Sequence, residues 1–491
     1  MLNPRTFSRP PEDEKPISFV PMAAVEAATG RVDVSRVRPY REIAKGYTRF
    51  SEGDVLFAKI TPCMENGKTA VARGLVSGAG CGSTEFHVLR PLGDVSGELV
   101  MYYLLQDDFR KEARRHMAGT AGQQRVPAWF VSEAPFPLPP LAEQRRIVAE
   151  IEKYFTRLDA AVTSLQRARA NLKRYGASVL KAACEGRLVP IEAELAHRGG
   201  RDYEPASVQL DRILMDRLAR WKAQERRRGS YREPQQPDTS TLPSLPEGWT
   251  WATVEQLCDV GTGSTPLTTK GEYYDGGTIP WVTSGAVNSL HVAATEKWVT
   301  EAAVRDCRLR RYPSGTLVLA MYGEGHNRGK ISELLFDATI NQALAALVFE
   351  GLSEHCKGYI KWFLLSRYEE TRRASVGGVQ PNLNLARVAR IPVPLPPVTE
   401  QHRVISEVER RLSVIQAAEE MVEANLTRAE RLRQAILRRA FEGKLVPQGA
   451  DDEPASTLLE RIRAEREQSG RNASQARRKT SRRRKAQGVS A

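Results

Sequence analysis

The chain has 491 residues, 41% hydrophobic and 27% charged, with a formal net charge of +14. This is a globular composition with core enough for roughly three or four domains, and no run approaches the ~18 apolar residues of a membrane span. Eight of the positive charges (Arg471, Arg477, Arg478, Lys479, Arg482, Arg483, Arg484, Lys485) lie in the acid-free segment 468–491. The body is therefore only mildly basic, and charge alone is weak support for a nucleic-acid partner.

In chain order, residues 1–16 read as a loose Pro- and charge-rich lead-in. From Ile17, short apolar runs alternate with Gly and Pro. Asp54–Ile60 and Phe86–Leu89 read as strands, and Gly97–Phe109 as a helix with Val100, Tyr103 and Leu104 inward. A mixed α/β globule thus occupies 1–138. A first long helical region follows (139–221). It includes a shorter helix from Glu204-Pro205-Ala206-Ser207 to Trp221, with Ser207 expected as its N-cap. Residues 222–244 have a linker composition. A second globule (245–395), a second long-helix region (396–467) and a disordered basic tail (468–491) complete the chain.

This order is an internal repeat. Pro137-Leu138-Pro139-Pro140-Leu141-Ala142-Glu143-Gln144 returns as Pro394-Leu395-Pro396-Pro397-Val398-Thr399-Glu400-Gln401. Glu185-Gly186-Arg187-Leu188-Val189-Pro190 returns as Glu442-Gly443-Lys444-Leu445-Val446-Pro447, at the same offset of 257. Prolines hold each entry extended, and Glu and Gln favour the positive helix start. Apolar residues then alternate at three and four spacing, the seam of a coiled coil. In the first helix they are Val148, Ile151, Phe155, Leu158, Val162 and Leu165, then Leu172 and Val179. In the second they are Ile405, Val408, Leu412, Ile415, Val422, Leu426 and Ile436. Gly186 and Gly443 are placed to end the rods, each ~60 Å long. The globules share a fainter frame at an offset of 262. Ile17–Val20 matches Ile279–Val282, Gly53–Leu56 matches Gly315–Val318, and Gly67-Lys68 matches Gly329-Lys330.

No catalytic constellation stands out. Gly67-Lys68-Thr69 and Gly329-Lys330-Ile331 resemble the end of a phosphate-binding loop, but the required earlier glycine is Pro62 in one and Glu324 in the other. The seven histidines form no metal-binding spacing. Six scattered cysteines without a C-x-x-C pair suit a reducing cytoplasm, and the N-terminal residues contain no apolar export signal.

Two diverging globules, each followed by a P-L-P-P-x-x-E-Q helix ending in E-G-[RK]-L-V-P, resemble the DNA specificity subunit of type I restriction–modification systems. The stretches Phe19–Met22, Gly53–Lys68, Leu245–Trp249 and Ile279–Val282 are similar to that family's target recognition domains. The resemblance implies an α+β fold: two α/β globules separated by a pair of long antiparallel coiled-coil helices about a pseudo-two-fold. It implies a non-catalytic cytoplasmic subunit that reads a bipartite asymmetric site on double-stranded DNA. The rods would act as a ruler and hold two modification (methyltransferase) subunits and, through them, ATP-dependent restriction subunits. S-adenosylmethionine, ATP and Mg would belong to those partners, with no cofactor or metal in this chain. The alternatives are a protein-binding scaffold and an S-like recognition subunit of another restriction class. One departure is that 34 residues run from Leu245 to Ile279, whereas 16 precede Ile17 and contain no Pro-Glu-Gly-Trp. The first domain is therefore expected to be short of its opening strand.

Base recognition needs paired donors and acceptors on loops. The candidates are Lys59, Thr61, Glu65, Asn66 and Lys68, then Gln123, Gln124 and Arg125, in the first globule. In the second they are Tyr322, His326, Asn327, Arg328 and Lys330, then Gln380 and Asn382. The seam also carries Arg169 and Glu419. In-register parallel pairing would set each against an apolar residue, whereas antiparallel pairing about position 165 brings them into adjacent layers.

Overall fold

The structure is a computed structural model and describes residues 1–120, 122–223, 230–322, 329–374 and 383–467. The chain divides into two compact units that are not contiguous in sequence. One is Met1–Gln166 with Glu423–Ala491, the other Arg167–Val422. Each unit therefore combines one globule with the start of one long helix and the end of the other.

In the first unit, a four-stranded sheet runs in the order Val37–Pro39, Pro16–Val20, Ala79–Gly82, Thr48–Ser51. A three-stranded sheet has Val55–Ala58 between Thr69–Val71 and Phe86–Leu89. Val55–Ala58 is buried at every position, which matches its unbroken apolar sequence. The expected helix over 97–109 is two helices, Gly97–Leu104 and Asp107–Arg115. Ser96 caps the first through the Leu99 N–H at 3.2 Å. Its fully buried face is Leu99, Met101, Tyr102 and Leu104, so Val100 and Tyr103 are only half-buried, one residue off the expected face.

In the second unit, a five-stranded sheet runs His291–Val292, Ile331–Leu334, Leu317–Ala320, Leu344–Val348, Asp259–Thr262. Ile279–Val282 lies between Trp298–Val299 and Thr339–Ile340. Thr250–Thr253 pairs antiparallel with Pro392–Leu395. In this last pair the prolines at 392 and 394 alternate with Val393 and Leu395, which carry the N–H donors. The 262 offset is structural: Val55–Ala58 matches Leu317–Ala320, and the turn glycines Gly53 and Gly315 have φ of +82° and +84°. Such values require glycine.

The long helices are Leu141–Cys184 and Val398–Phe441. Both end as expected, with Gly186 and Gly443 each at φ +68°. Arg187 N–H closes back on Ala182 O at 2.9 Å, and Lys444 N–H on Arg439 O at 2.8 Å. The helices pair antiparallel within each unit. In the first unit the Arg433 guanidinium sits 4.3 Å over the Phe155 ring and pairs with Asp159. In the second unit Gly176 faces Leu412 and Ile415. The facing numbers, 155 with 433 and 176 with 412, both total 588. The same antiparallel register therefore holds inside each unit. The first helix buries Ile147 rather than Val148, and the second also buries Arg433, Leu437 and Ala440. Ser207 lies inside the helix Ala206–Ala223 and is not its N-cap.

The Glu-Gln pair of each repeat does more than favour a helix start. Gln144 and Gln401 are fully buried, and each side-chain N–H₂ donates to the carbonyl five residues back, Pro139 O at 2.9 Å and Pro396 O at 2.8 Å. The amides thus lock the Pro-Pro entry onto the first helical turn.

Candidate nucleic-acid interface

The loop 59–68 connects two strands of the buried three-stranded sheet, and 123–125 is drawn against it. Ile60 bridges Arg125, Thr61 N–H donates to Gln124 O at 3.0 Å, and Gln124 N–H donates to Thr61 Oγ1 at 3.1 Å. Two stretches separate in sequence therefore form one surface.

Several candidate side chains are committed within that surface. Arg125 forks onto Glu85, with its closest contacts at 2.9 Å. These hydrogen bonds hold the Glu85 carboxyl below its ordinary range against a smaller cost of desolvation. Lys68 Nζ donates to Met22 O at 3.0 Å. Glu65 pairs with Arg114 at 2.9 Å, and its carbonyl accepts from Arg110. Asn66 and Gln123 are exposed, and Lys59 is half-buried.

Lys59 also lines a cleft of 510 Å³ with Asn3, Arg5, Lys45, Tyr47, Thr48, Arg49 and Thr84. The lining holds four cations and no acid, a site suited to a phosphate backbone. Composition concealed Arg5, Lys45 and Arg49, because they converge only through folding. Behind the cleft, His87 is buried, with Nε2 donating to Val126 O at 2.8 Å and Nδ1 accepting from Asn3 at 3.1 Å. Desolvation keeps it neutral by lowering its pKa.

In the second unit, Ala320 N–H donates to Lys330 O at 2.9 Å, and Gly329 N–H to Ala320 O at 2.7 Å. Tyr322, exposed, and Lys330, half-buried, stand at the two feet of the same inter-strand connection. His326, Asn327, Arg328, Gln380 and Asn382 lie outside the described residues. Among the described residues no cluster of His, Cys, Asp or Glu could hold a metal ion, and no helix is long and apolar enough to cross a membrane.

Residues 246–413 match the type I restriction modification DNA specificity domain. The EcoAI specificity subunit of Escherichia coli is 30% identical over 49% of this chain, though the match spans only 46% of that relative. The EcoEI specificity subunit of Escherichia coli is 26% identical over 81% of this chain and 74% of its own. A chain solved in work on assembly and conformational transition of the type I R-M system shares the fold, with a TM-score of 0.61 and 20% identity over 88% of this chain and 93% of that one. So does the HsdS subunit from Thermoanaerobacter tengcongensis, with a TM-score of 0.51 and 19% identity over 88% and 92%. In its doubled helix motif and paired globules the chain is thus similar to the specificity subunits of type I restriction–modification systems, and residues 246–413 match their DNA specificity domain.

Proposed function

We propose that each unit reads one half of a bipartite, asymmetric site on double-stranded DNA, and that the paired helices set the length of the spacer. The acid-free cleft beside the loop 59–68 supports this reading most directly: it offers backbone-binding cations next to a surface able to enter a groove. The chain acts without catalysis of its own. Methyl transfer with S-adenosylmethionine belongs to two modification subunits, and ATP- and Mg-dependent cleavage to restriction subunits. The assembly works in the cytoplasm. Replacing residues 245–390 with the matching domain of a relative tests the reading. One half-site should change and the other persist; a change in both, or in neither, would overturn modular recognition.

A further inference from the structure

Arg125 is the most firmly held of the candidate residues on the surface of the first unit. Its N–H donates to Ala118 O at 2.8 Å, and its carbonyl accepts the Ala118 N–H at 3.0 Å. On the other edge of the same strand it is bridged to Ile60, because Thr61 N–H donates to Gln124 O at 3.0 Å and Val126 N–H to Lys59 O at 2.8 Å. The side chain therefore leaves from a backbone fixed on both edges.

The guanidinium is fixed as well. It has five N–H donors in one rigid plane. Nε–H and one N–H of Nη2 fork onto the Glu85 carboxylate, each at 2.9 Å, and one N–H of Nη1 donates to Gln123 O at 3.0 Å. Two donors remain, one on each terminal nitrogen, and no described residue takes either. They can be presented together as a fork, and the side chain is 42% exposed.

Glu85 explains itself poorly as a stabilising partner. Its side chain is 24% exposed, and ion pairs this open to water add little to stability. It also has the wrong charge for a surface that meets phosphates, and it sits beside Lys59, whose N–H donates to Glu85 O at 2.9 Å. What it supplies is orientation. An arginine side chain has much rotamer freedom to lose, and the Glu85 fork removes that freedom before any ligand arrives. A planar donor pair, aimed in advance and partly neutralised, suits two acceptors side by side. A phosphate is served better by a cation with no acid on it.

We propose that Arg125 reads a guanine in the half-site of the first unit, giving its two remaining N–H groups to N7 and O6 in the major groove, and that Glu85 is the positioning residue that aims it. The inference rests on the DNA reading and adds to it one base and the pair of residues that selects it.

The test selects duplexes from a randomised DNA pool with the full chain assembled with the proposed modification subunits. The half-site of the first unit is the one that persists when 245–390 are exchanged. Wild type should fix a G·C pair there. Arg125→Ala and Arg125→Lys should each make that one position degenerate and leave the rest of the motif in place. Lysine keeps the charge without the fork, so it would rescue a phosphate contact but not a base contact. Glu85→Gln should lower discrimination at the same position ~3–10-fold without weakening binding to non-specific duplex, a split that a merely structural role would not produce. Replacing the selected guanine with 7-deazaguanine removes the N7 acceptor and leaves the protein intact. It should weaken wild-type binding ~10-fold and leave Arg125→Ala binding unchanged. A G·C pair kept by both Arg125 variants, or rescued by lysine, overturns the proposal and leaves the DNA reading standing. So does wild-type binding indifferent to 7-deazaguanine at every guanine of that half-site. A wild-type assembly that selects no bipartite motif overturns both.

Discussion

Glu192 tests how the second unit is closed. Its side chain is 1% exposed, with Arg201 at 2.5 Å and Arg403 at 2.6 Å. The Arg403 contact is short but off the hydrogen-bonding direction, so Glu192 Oε2 lacks a well-aligned donor and the attraction is mainly of charge. Burial opposes ionisation of Glu192, but the two guanidiniums, with the Thr399 hydroxyl, outweigh it and leave the carboxyl below its ordinary 4.5. Breaking a buried ion pair costs ~3–5 kcal/mol. Here the arginine side chains are 49% and 32% exposed, and water can take over part of their solvation. The discounted cost of Glu192→Ala is ~2 kcal/mol, or ~4–8 °C for a unit of this size. Calorimetry on the full chain, with hydrogen exchange of 192–203 to locate the loss, measures it. Because the folded pKa is lowered, the stabilisation is present above about pH 4.5 and is lost as pH falls through the folded value. The gap between wild type and Glu192→Ala should therefore narrow in acid. A loss under ~0.5 kcal/mol, or one independent of pH between 3 and 7, would refute the argument.

Three further outcomes are expected. His87 is held neutral by desolvation, so the first unit should lose stability as pH falls below the ordinary 6.5, and His87→Gln should flatten that slope in denaturant titrations at pH 5 to 7. Arg433→Ala removes a cation packed on Phe155, while Arg31 at 3.0 Å still serves Asp159. Urea unfolding should report a loss of ~1.5 kcal/mol rather than that of an orphaned carboxylate. The facing register sets Arg169 level with Glu419 rather than one layer away as expected, the one exposed and the other half-buried. We propose that they couple, and a double-mutant cycle should return ~0.5 kcal/mol, with zero coupling counting against the pair.

The repeat was legible because both copies of each motif face the same physical demand: helix start, seam and glycine stop. The antiparallel sense was expected because Arg169 and Glu419 fit no parallel layer, although the structure leaves Arg169 exposed and Glu419 half-buried, so the seam buries neither charge fully. Other features depended on tertiary context. Glu400 reads as a helix-start residue, yet Trp249 and Glu192 lie far from it in sequence, and nothing local announces that it binds both. Burial raises its carboxyl despite those donors. The break at Leu105–Gln106 leaves no proline or glycine as a sign. Arg5, Lys45 and Arg49 sit among ordinary charges and become a cleft only when the first unit closes.

The seam also discriminates between partners. Arg433 and Gly176 occupy equivalent places in the repeat, as do Leu412 and Phe155. Two copies of the second helix, paired in the same register, would press Arg433 against Leu412 and put Gln416 where Asp159 supplies the carboxylate. That cation would be buried without its acid or its ring, a cost of ~2 kcal/mol or more at each of two places. Two copies of the first helix would set Phe155 over Gly176, a ring above a bare backbone with no cation to meet it. Halves of this chain made separately should thus prefer each other to their own kind, so that a mixture sorts toward pairs with one half of each type rather than two alike.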